Sequence, residues 1–161
     1  MCKKWKLVLA GALVACGCGG FAVSLAWASP PQGLTATGLA GPATMDEVKS
    51  KAEFDGWQAE LKTKGESDVY FTHFKIAPGG YSGWHWHPGP SIIAVRAGTA
   101  SVYDDCTDPD TPWVLPTGRA FVEDAGCVHL VANHGDVDLE FLVVQIVPKG
   151  APRRIEADPP E

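Results

Sequence analysis

The sequence predicts an all-β domain, in which many short antiparallel strands form a barrel or sandwich. The chain holds 18 glycines and 13 prolines among its 161 residues, a composition typical of strands joined by tight turns. From residue 57 onward, apolar and polar residues alternate in short runs, as they do in half-buried strands. Turn sequences rich in proline and glycine, such as 78–80, 88–90 and 116–118, separate these runs, and no long helical pattern interrupts them.

The first 28 residues have the pattern of an export signal. Three lysines lie within the first six residues, an apolar stretch covers 7–15, and residues 26–28 read Ala-Trp-Ala, an A-x-A cleavage sequence. Two alternatives stay open. Residues 13–16 resemble a lipobox that would make Cys16 a lipidated N-terminus, and residues 7–28 are long enough to remain as a membrane anchor. All three interpretations predict an extracytoplasmic domain that is periplasmic, secreted or membrane-anchored, with membrane contact only through this segment.

The charge of the domain argues against nucleic acid as a partner. The formal net charge of the whole chain is −6. Removal of the leader takes away three lysines and no acid, which leaves 10 basic and 19 acidic residues, a charge of −9. Nucleic acids and anionic lipids both need a cationic surface, so the mature domain is a poor candidate for binding either of them.

The segment before the alternating pattern is predicted to be linker and helix. Residues 29–43 are rich in proline, glycine and threonine without periodicity, which indicates a flexible linker. Residues 44–47 read Thr-Met-Asp-Glu, a capping-box pattern that predicts one or two helical turns to about residue 53. Trp57, Ala59 and Leu61 then share one face of a strand.

The strands of the barrel follow at short spacing. They are predicted at 68–76, 81–87, 91–96, 99–103, 112–115, 119–123, 127–133 and 137–147. We therefore expect residues 44–148 to form the barrel domain and residues 149–161 to form a C-terminal tail that runs along its surface.

His85 and His87 are the first candidates for a functional site. On a strand, alternate side chains share a face, so these two imidazoles point the same way and Trp86 points oppositely. Two imidazoles at this spacing can bind one metal ion. If this pair stood alone, the simpler interpretation would be two surface or core histidines that have this spacing by chance.

The spacing around this pair fits a longer motif, G-x5-H-x-H-x3/4-E-x6-G. Gly79, His85, His87 and Gly98 occupy the motif positions, and Ser91 stands where the motif has Glu. A second motif, G-x5-P-x-G-x2-H-x3-N, follows after a gap of 19 residues. Its members here are Gly118, Asp124 in place of Pro, Gly126, His129 and Asn133.

Through these two motifs, residues 57–148 resemble the cupin superfamily. The resemblance implies a double-stranded β-helix, a barrel similar to a jelly roll (RmlC-like), with a short helical or extended segment before it. It also implies that His85, His87 and His129 are metal ligands. A carboxylate ligand does not carry over, because Ser91 replaces the motif's Glu. The expected cofactor is a divalent transition metal, with iron, zinc, manganese, copper and nickel all compatible with the ligand set.

Four further residues are predicted to line a pocket. Ser91 marks the position that the missing Glu would occupy. Gln145 alternates with apolar residues on the last long strand and is expected to point into the barrel, where it either lines the pocket or is a core residue whose amide is satisfied by the backbone. Tyr81 and Trp84 flank the histidine pair and are candidates for the mouth of the pocket, although aromatic residues at such positions more often simply pack against their neighbours.

Cys106 and Cys127 would be the two cysteines left after cleavage near residue 28. In an oxidising compartment such a pair favours a disulfide. Two separately buried thiols are the alternative, because the sequence does not show whether the two Cα atoms come within about 7 Å of each other.

Two classes of function fit these observations. The first is a metal-dependent enzyme acting on a small molecule, most naturally a dioxygenase-like enzyme, since some similar three-histidine cupins are thiol and diketone dioxygenases. Isomerase chemistry is less favoured because no strong general base is evident. The second is a non-catalytic extracytoplasmic module that binds a small ligand or a metal. Homodimerisation through an exposed strand edge is a further expectation.

Overall fold

A computed structural model describes residues 29–161, and the predicted export signal at 1–28 lies outside the described residues. The described part contains twelve strands and no helix. Accordingly, residues 29–161 include no long apolar helix that could cross a membrane. The strands are β1 (Gln32–Met45), β2 (Lys49–Phe54), β3 (Trp57–Lys62), β4 (Ser67–Tyr81), β5 (His85–Trp86), β6 (Ser91–Ala97), β7 (Thr99–Asp104), β8 (Asp108–Pro116), β9 (Ala120–Glu123), β10 (His129–Ala132), β11 (Leu139–Pro148) and β12 (Ile155–Glu156).

Ten of these strands form a nearly closed antiparallel barrel. One wall has the strand order β1-β4-β11-β6-β9. The opposite wall has the order β12-β5-β10-β7-β8. The two walls join where β10 bridges the end of β4, at Ala132 and Tyr81. The predicted all-β barrel is confirmed, and every strand predicted between 68 and 147 has an observed counterpart.

The core lies between the two walls and follows the alternation of the strands. On β11, Leu139, Phe141, Val143, Gln145 and Val147 point inward and are buried, while the residues between them are more exposed. The inward face of β6 meets this row, since Val143 lies opposite Ile93 in the β11–β6 register. The buried apolar cluster consists of Ile76, Ile93, Val95, Ala100, Val102, Val131, Leu139, Phe141 and Val143.

The prediction of a flexible linker at 29–43 is wrong, because Gln32–Met45 forms β1 and pairs along its length with β4. The segment consists mostly of small residues, so no apolar alternation reveals the strand. Backbone groups on β4 supply its hydrogen bonds, and this pairing needs no particular side chain.

The predicted helical turns at 44–53 are also wrong. β1 continues to Met45 and β2 begins at Lys49, so the extended form of the N-terminal segment is the one present. The Glu47 carboxylate accepts a hydrogen bond from the Gly65 amide. In a capping box it would instead accept one from a backbone amide in the first turn of its own helix. Pairing with residues far along the chain therefore overrides a local helical preference.

The β2–β3 hairpin forms a separate two-stranded sheet. Phe54 lies opposite Trp57, and Ala52 lies opposite Ala59. With Leu61 these residues occupy one face, as predicted for Trp57, Ala59 and Leu61, and this face is exposed. The hairpin is consequently an amphipathic arm beside the barrel.

Gly89 brings the loop after the histidine pair against the barrel wall. A Cβ at this position would overlap the carbonyl oxygen of Ile146 on β11. The Ile146 amide donates to the neighbouring Pro90 carbonyl at 3.1 Å. Only glycine permits this approach, which fixes the loop that follows His87.

Cys106 and Cys127 form a disulfide, with their Cα atoms 5.6 Å apart. Cys106 lies in the turn between β7 and β8, and Cys127 lies in the loop before β10. The bond therefore ties the β7–β8 turn to the start of the strand that carries His129.

Replacement of both cysteines by serine is expected to lower the free energy of unfolding by about 3 kcal/mol, because the bond closes a loop of 21 residues in the unfolded chain. Urea unfolding with and without a reductant measures this. The wild-type protein should become reductant-sensitive, and the double variant should be equally stable in both conditions. Equal stability of variant and oxidised wild type would contradict the prediction.

Candidate metal centre and its cavity

Three buried histidines converge between the two walls of the barrel. His85 lies on β5, His87 follows that strand, and His129 lies on β10, directly opposite His85 in the β10–β5 register. One ring nitrogen from each lies within 4.8 Å of those of the other two. The three residues that the resemblance predicted as ligands are thus brought to one point.

Backbone carbonyls orient all three rings through their Nδ1 atoms. The acceptors are Gly83 for His85, Arg153 for His87 and Cys127 for His129, at 2.8, 2.5 and 2.9 Å. A carbonyl oxygen only accepts, so each Nδ1 carries the proton and donates it. Each Nε2 of the neutral ring therefore keeps a lone pair for the centre of the cluster, the arrangement usual for metal-binding histidines.

The buried Nε2 atom of His129 has no hydrogen-bond partner, although its side chain is fully buried. Burial lowers the pKa of His129, and it also lowers the pKa of His85, where His129 adds repulsion. Both rings are thus held neutral. Unpartnered buried polar atoms are costly, and a bound cation would satisfy this one. The residues present fit a divalent metal ion.

Glu123 adds a carboxylate to this cluster. Its side chain is 95% buried, and Oε2 lies 3.5 Å from His87 Nε2 and 3.4 Å from His129 Nε2. Glu123 is at the end of β9 and pairs directly with Ser91 on β6. The carboxylate missing from position 91 therefore has a counterpart on the adjacent strand.

The sequence reasoning missed Glu123. One signal was available, because Glu123 lies two residues after Phe121 on a strand, and Phe121 packs against the core. Same-face placement would have put Glu123 inside. Its meeting with the histidines, however, depends on the pairing of β9 with β6, which the motif spacing does not encode.

The cluster opens into a cavity of about 520 Å³, a size that suits a small organic molecule. The cavity has an apolar part and a polar part. The apolar part is lined by Leu34, Phe74, Ile93, Val131, Phe141 and Val143, and the polar part by Thr72, Ser82, His85, His87, Glu123, Gln145, Arg153, Arg154 and Glu156.

The C-terminal tail is part of this site, contrary to the expectation that it runs along the surface. β12 pairs with β5, with Glu156 opposite His85. Arg154 Nη2 donates to the Ser82 carbonyl at 2.8 Å and pairs with the Glu156 carboxylate. The tail therefore closes one side of the cavity, next to the histidines.

The four predicted pocket residues divide into two pairs. Gln145 is buried and lines the cavity, and Ser91 lies buried behind it, with Gln145 Nε2 3.4 Å from Ser91 Oγ. The prediction for Tyr81 and Trp84 is wrong, because both line a different groove, together with Tyr103. That groove lies on the other side of the wall, where Trp84 packs edge-on against Tyr103.

Comparisons with known proteins agree with this fold. The family model described as Cupin domain matches residues 72–145. The polyketide cyclase RemF from Streptomyces resistomycificus is similar in structure, with a TM-score of 0.55 and 18% identity over 82% of this chain and 77% of that one. A structure from the DMSP lyases RdDddP and RnDddQII has a TM-score of 0.54 and 18% identity, covering 78% of this chain and 53% of that one. A predicted oxalate decarboxylase from Thermotoga maritima has a TM-score of 0.43 and 27% identity, covering 52% of this chain and 83% of that one. No curated protein sequence matches the chain.

Glu123→Gln is expected to weaken zinc binding by about 10- to 100-fold, because it removes a negative charge beside the histidine nitrogens. The metal-free variant should be at least as stable as the wild type, since a buried carboxylate without a cation is unfavourable. Competition with a chelator measures the affinity, and thermal unfolding measures the stability.

Two further variants sharpen this test. Ser91→Glu combined with Glu123→Ser should restore most of the affinity, because the two positions face each other across β6 and β9. The control variant Glu60→Gln, on the exposed β2–β3 hairpin, should leave the zinc affinity unchanged. Unaltered zinc affinity in Glu123→Gln would show that the carboxylate is not a ligand.

Proposed function

The chain belongs to the cupin superfamily, and we propose that it is a metal-dependent enzyme that oxygenates a small organic molecule inside the barrel. The observation that carries the proposal is the convergence of three buried, carbonyl-oriented imidazoles, two of which line a cavity large enough for such a molecule. Catalytic metal sites combine a few protein ligands with positions left open for a substrate, and this cluster faces the cavity.

The proposed ligands are His85, His87 and His129, with Glu123 as a carboxylate fourth. Imidazole and carboxylate together suit iron and manganese as well as zinc, copper and nickel. A redox-active ion bound there would supply the activation of dioxygen. Three neutral rings and one carboxylate leave a divalent ion with net positive charge, which favours an anionic or chelating ligand.

The chemistry of the cavity favours reactions carried by the metal over proton transfer by side chains. Within the described part of the chain, Glu123 and Glu156 are the two carboxylates that line the cavity. Glu123 is committed to the proposed metal centre. Hydrogen bonding with Arg154 lowers the pKa of Glu156, which makes it a poor base. An isomerase or lyase would need a proton acceptor poised near neutrality.

The side chains of the cavity would bind and orient the substrate. The apolar wall removes water from its body, while Gln145, held by Ser91 and by the Arg153 carbonyl at 2.9 Å, presents a fixed amide. Ordered polar groups on strands position a ligand more precisely than mobile loops do. Orientation and exclusion of water are therefore the tasks of this chain's own residues.

The similar structures do not select the reaction. Their names include a cyclase, a lyase and a predicted decarboxylase, and one fold supports many unrelated activities. The function is therefore argued from the cavity. A protein that binds the metal and a ligand but turns nothing over would be a binding module, the second class predicted from the sequence.

We also propose that the domain works outside the cytoplasm. The composition of residues 1–28 supports export, and the Cys106–Cys127 disulfide supports an oxidising compartment.

We also propose that the protein forms homodimers. This proposal is supported by apolar residues on the outer face of one wall, where exposed Ile92 lies between exposed Val122 and half-buried Val144 in the strand register.

Protein purified from its native compartment should contain about one equivalent of a transition metal, and the reconstituted protein should consume oxygen with a substrate from a panel of thiols, diketones and phenolics. Elemental analysis and an oxygen electrode measure the two quantities. His129→Ala should lose the metal and the activity together, because its Nε2 faces only the centre of the cluster. Metal-free wild-type protein would refute the proposal, and metal without oxygen consumption would reduce it to a binding function.

A further inference from the structure

The side chain of Arg153 brings a positive charge into the cavity from the C-terminal tail. Its Nε donates to Gln145 Oε1 at 3.0 Å, and its Nη2 donates to Thr72 Oγ1 at 2.8 Å. The guanidinium also lies over the ring of Tyr70, 4.3 Å from the centroid. Three neutral groups from β4 and β11 therefore hold this cation in one orientation, with Nη1 left without a hydrogen-bond partner among residues 29–161.

Arg153 has no counter-ion within the described part of the chain. Its neighbour Arg154 is paired with the Glu156 carboxylate, whereas the groups that hold Arg153 are an amide, a hydroxyl and an aromatic ring. Burial lowers the pKa of the Arg153 guanidinium, although arginine remains charged at any physiological pH. A partly desolvated cation without a partner favours the arrival of an anion.

We propose that Arg153 is the binding residue for the substrate's negative charge and that the substrate is an organic monocarboxylate with an apolar body. The planar guanidinium fork matches a carboxylate. Arg154 is already paired with Glu156, so Arg153 offers one unpaired side-chain cation, which favours a carboxylate over a phosphate dianion. The apolar lining, with Phe74 stacked on Phe141 at 5.4 Å, fits the remainder of such a molecule.

Arg153 also connects substrate recognition with the histidine cluster. Its backbone carbonyl accepts the hydrogen bond from His87 Nδ1, and its side chain reaches Gln145 and Thr72 on the opposite wall. The position of the guanidinium is thereby fixed relative to the rings. This inference rests on the proposed function in one respect, since both place the substrate in the same cavity.

The test compares acids with their neutral amides. Binding of benzoate, benzamide, phenylacetate and phenylacetamide is measured by titration calorimetry on zinc-loaded protein, which is redox-inert. In the wild type each acid should bind more tightly than its amide. In Arg153→Gln that preference should fall by about tenfold or more, because a charge-assisted hydrogen bond is lost. Arg153→Lys should keep part of the preference.

The readout is the ratio of acid affinity to amide affinity, and not the absolute affinity. If the substitution merely detached the C-terminal tail, binding of acid and of amide would weaken together and the ratio would not fall. Arg119→Gln, which removes an exposed arginine outside the cavity, should leave the ratio unchanged. An unchanged ratio in Arg153→Gln, or an equal fall in Arg119→Gln, would overturn the inference.

The same titrations on chelator-treated protein separate this inference from the proposed function. The drop in the ratio caused by Arg153→Gln should persist without metal, because the guanidinium acts on its own. If the wild type binds no zinc, the metal-dependent function fails while the drop in the ratio still tests Arg153. If zinc binds and the ratio does not fall, the monocarboxylate inference alone fails.

Discussion

The site depends on three hydrogen bonds from imidazole Nδ1 atoms to backbone carbonyls. A free histidine has two tautomers and rotates about two side-chain bonds, but a carbonyl acceptor fixes both the tautomer and the ring plane. The carbonyls of Gly83 and Cys127 lie two residues before the rings they hold, whereas the Arg153 carbonyl comes from the C-terminal tail. The alignment of the lone pairs thus requires the barrel, the loop tied by the disulfide and the docked tail together.

Charge inside the barrel is balanced only in part by the protein's own groups. The rings of His85 and His129 are neutral because burial lowers the pKa of each. Glu123 contributes one negative charge at the inner end of the cavity, and Arg153 contributes one positive charge without an ion-pair partner in residues 29–161. Such an interior is electrostatically prepared for a cation near the carboxylate and for an anion near the guanidinium. Buried charges lower the stability of a protein when they are not compensated. Their presence here is therefore better explained by the binding of ligands than by a contribution to stability.

Part of the cavity lining comes from outside the residues that the family model matches. The family match covers residues 72–145, yet β1 walls one side of the cavity and the tail closes another. These two segments supply Leu34 to the apolar lining and Arg153 to the polar lining.

The sequence by itself determined the barrel and the histidine cluster. Alternation fixes which side chains share a face and puts His85 and His87 on the same side of a strand, because it depends only on residues close together in the chain. His129 joined the predicted ligand set through the resemblance of the two motifs to the cupin superfamily. The disulfide, the strand formed by residues 32–45, the docked tail and the contact of Glu123 with the histidines were decided by tertiary structure. Each of these depends on which distant segments become neighbours. Strand register and backbone hydrogen bonds establish that, and neither leaves a local pattern in the sequence.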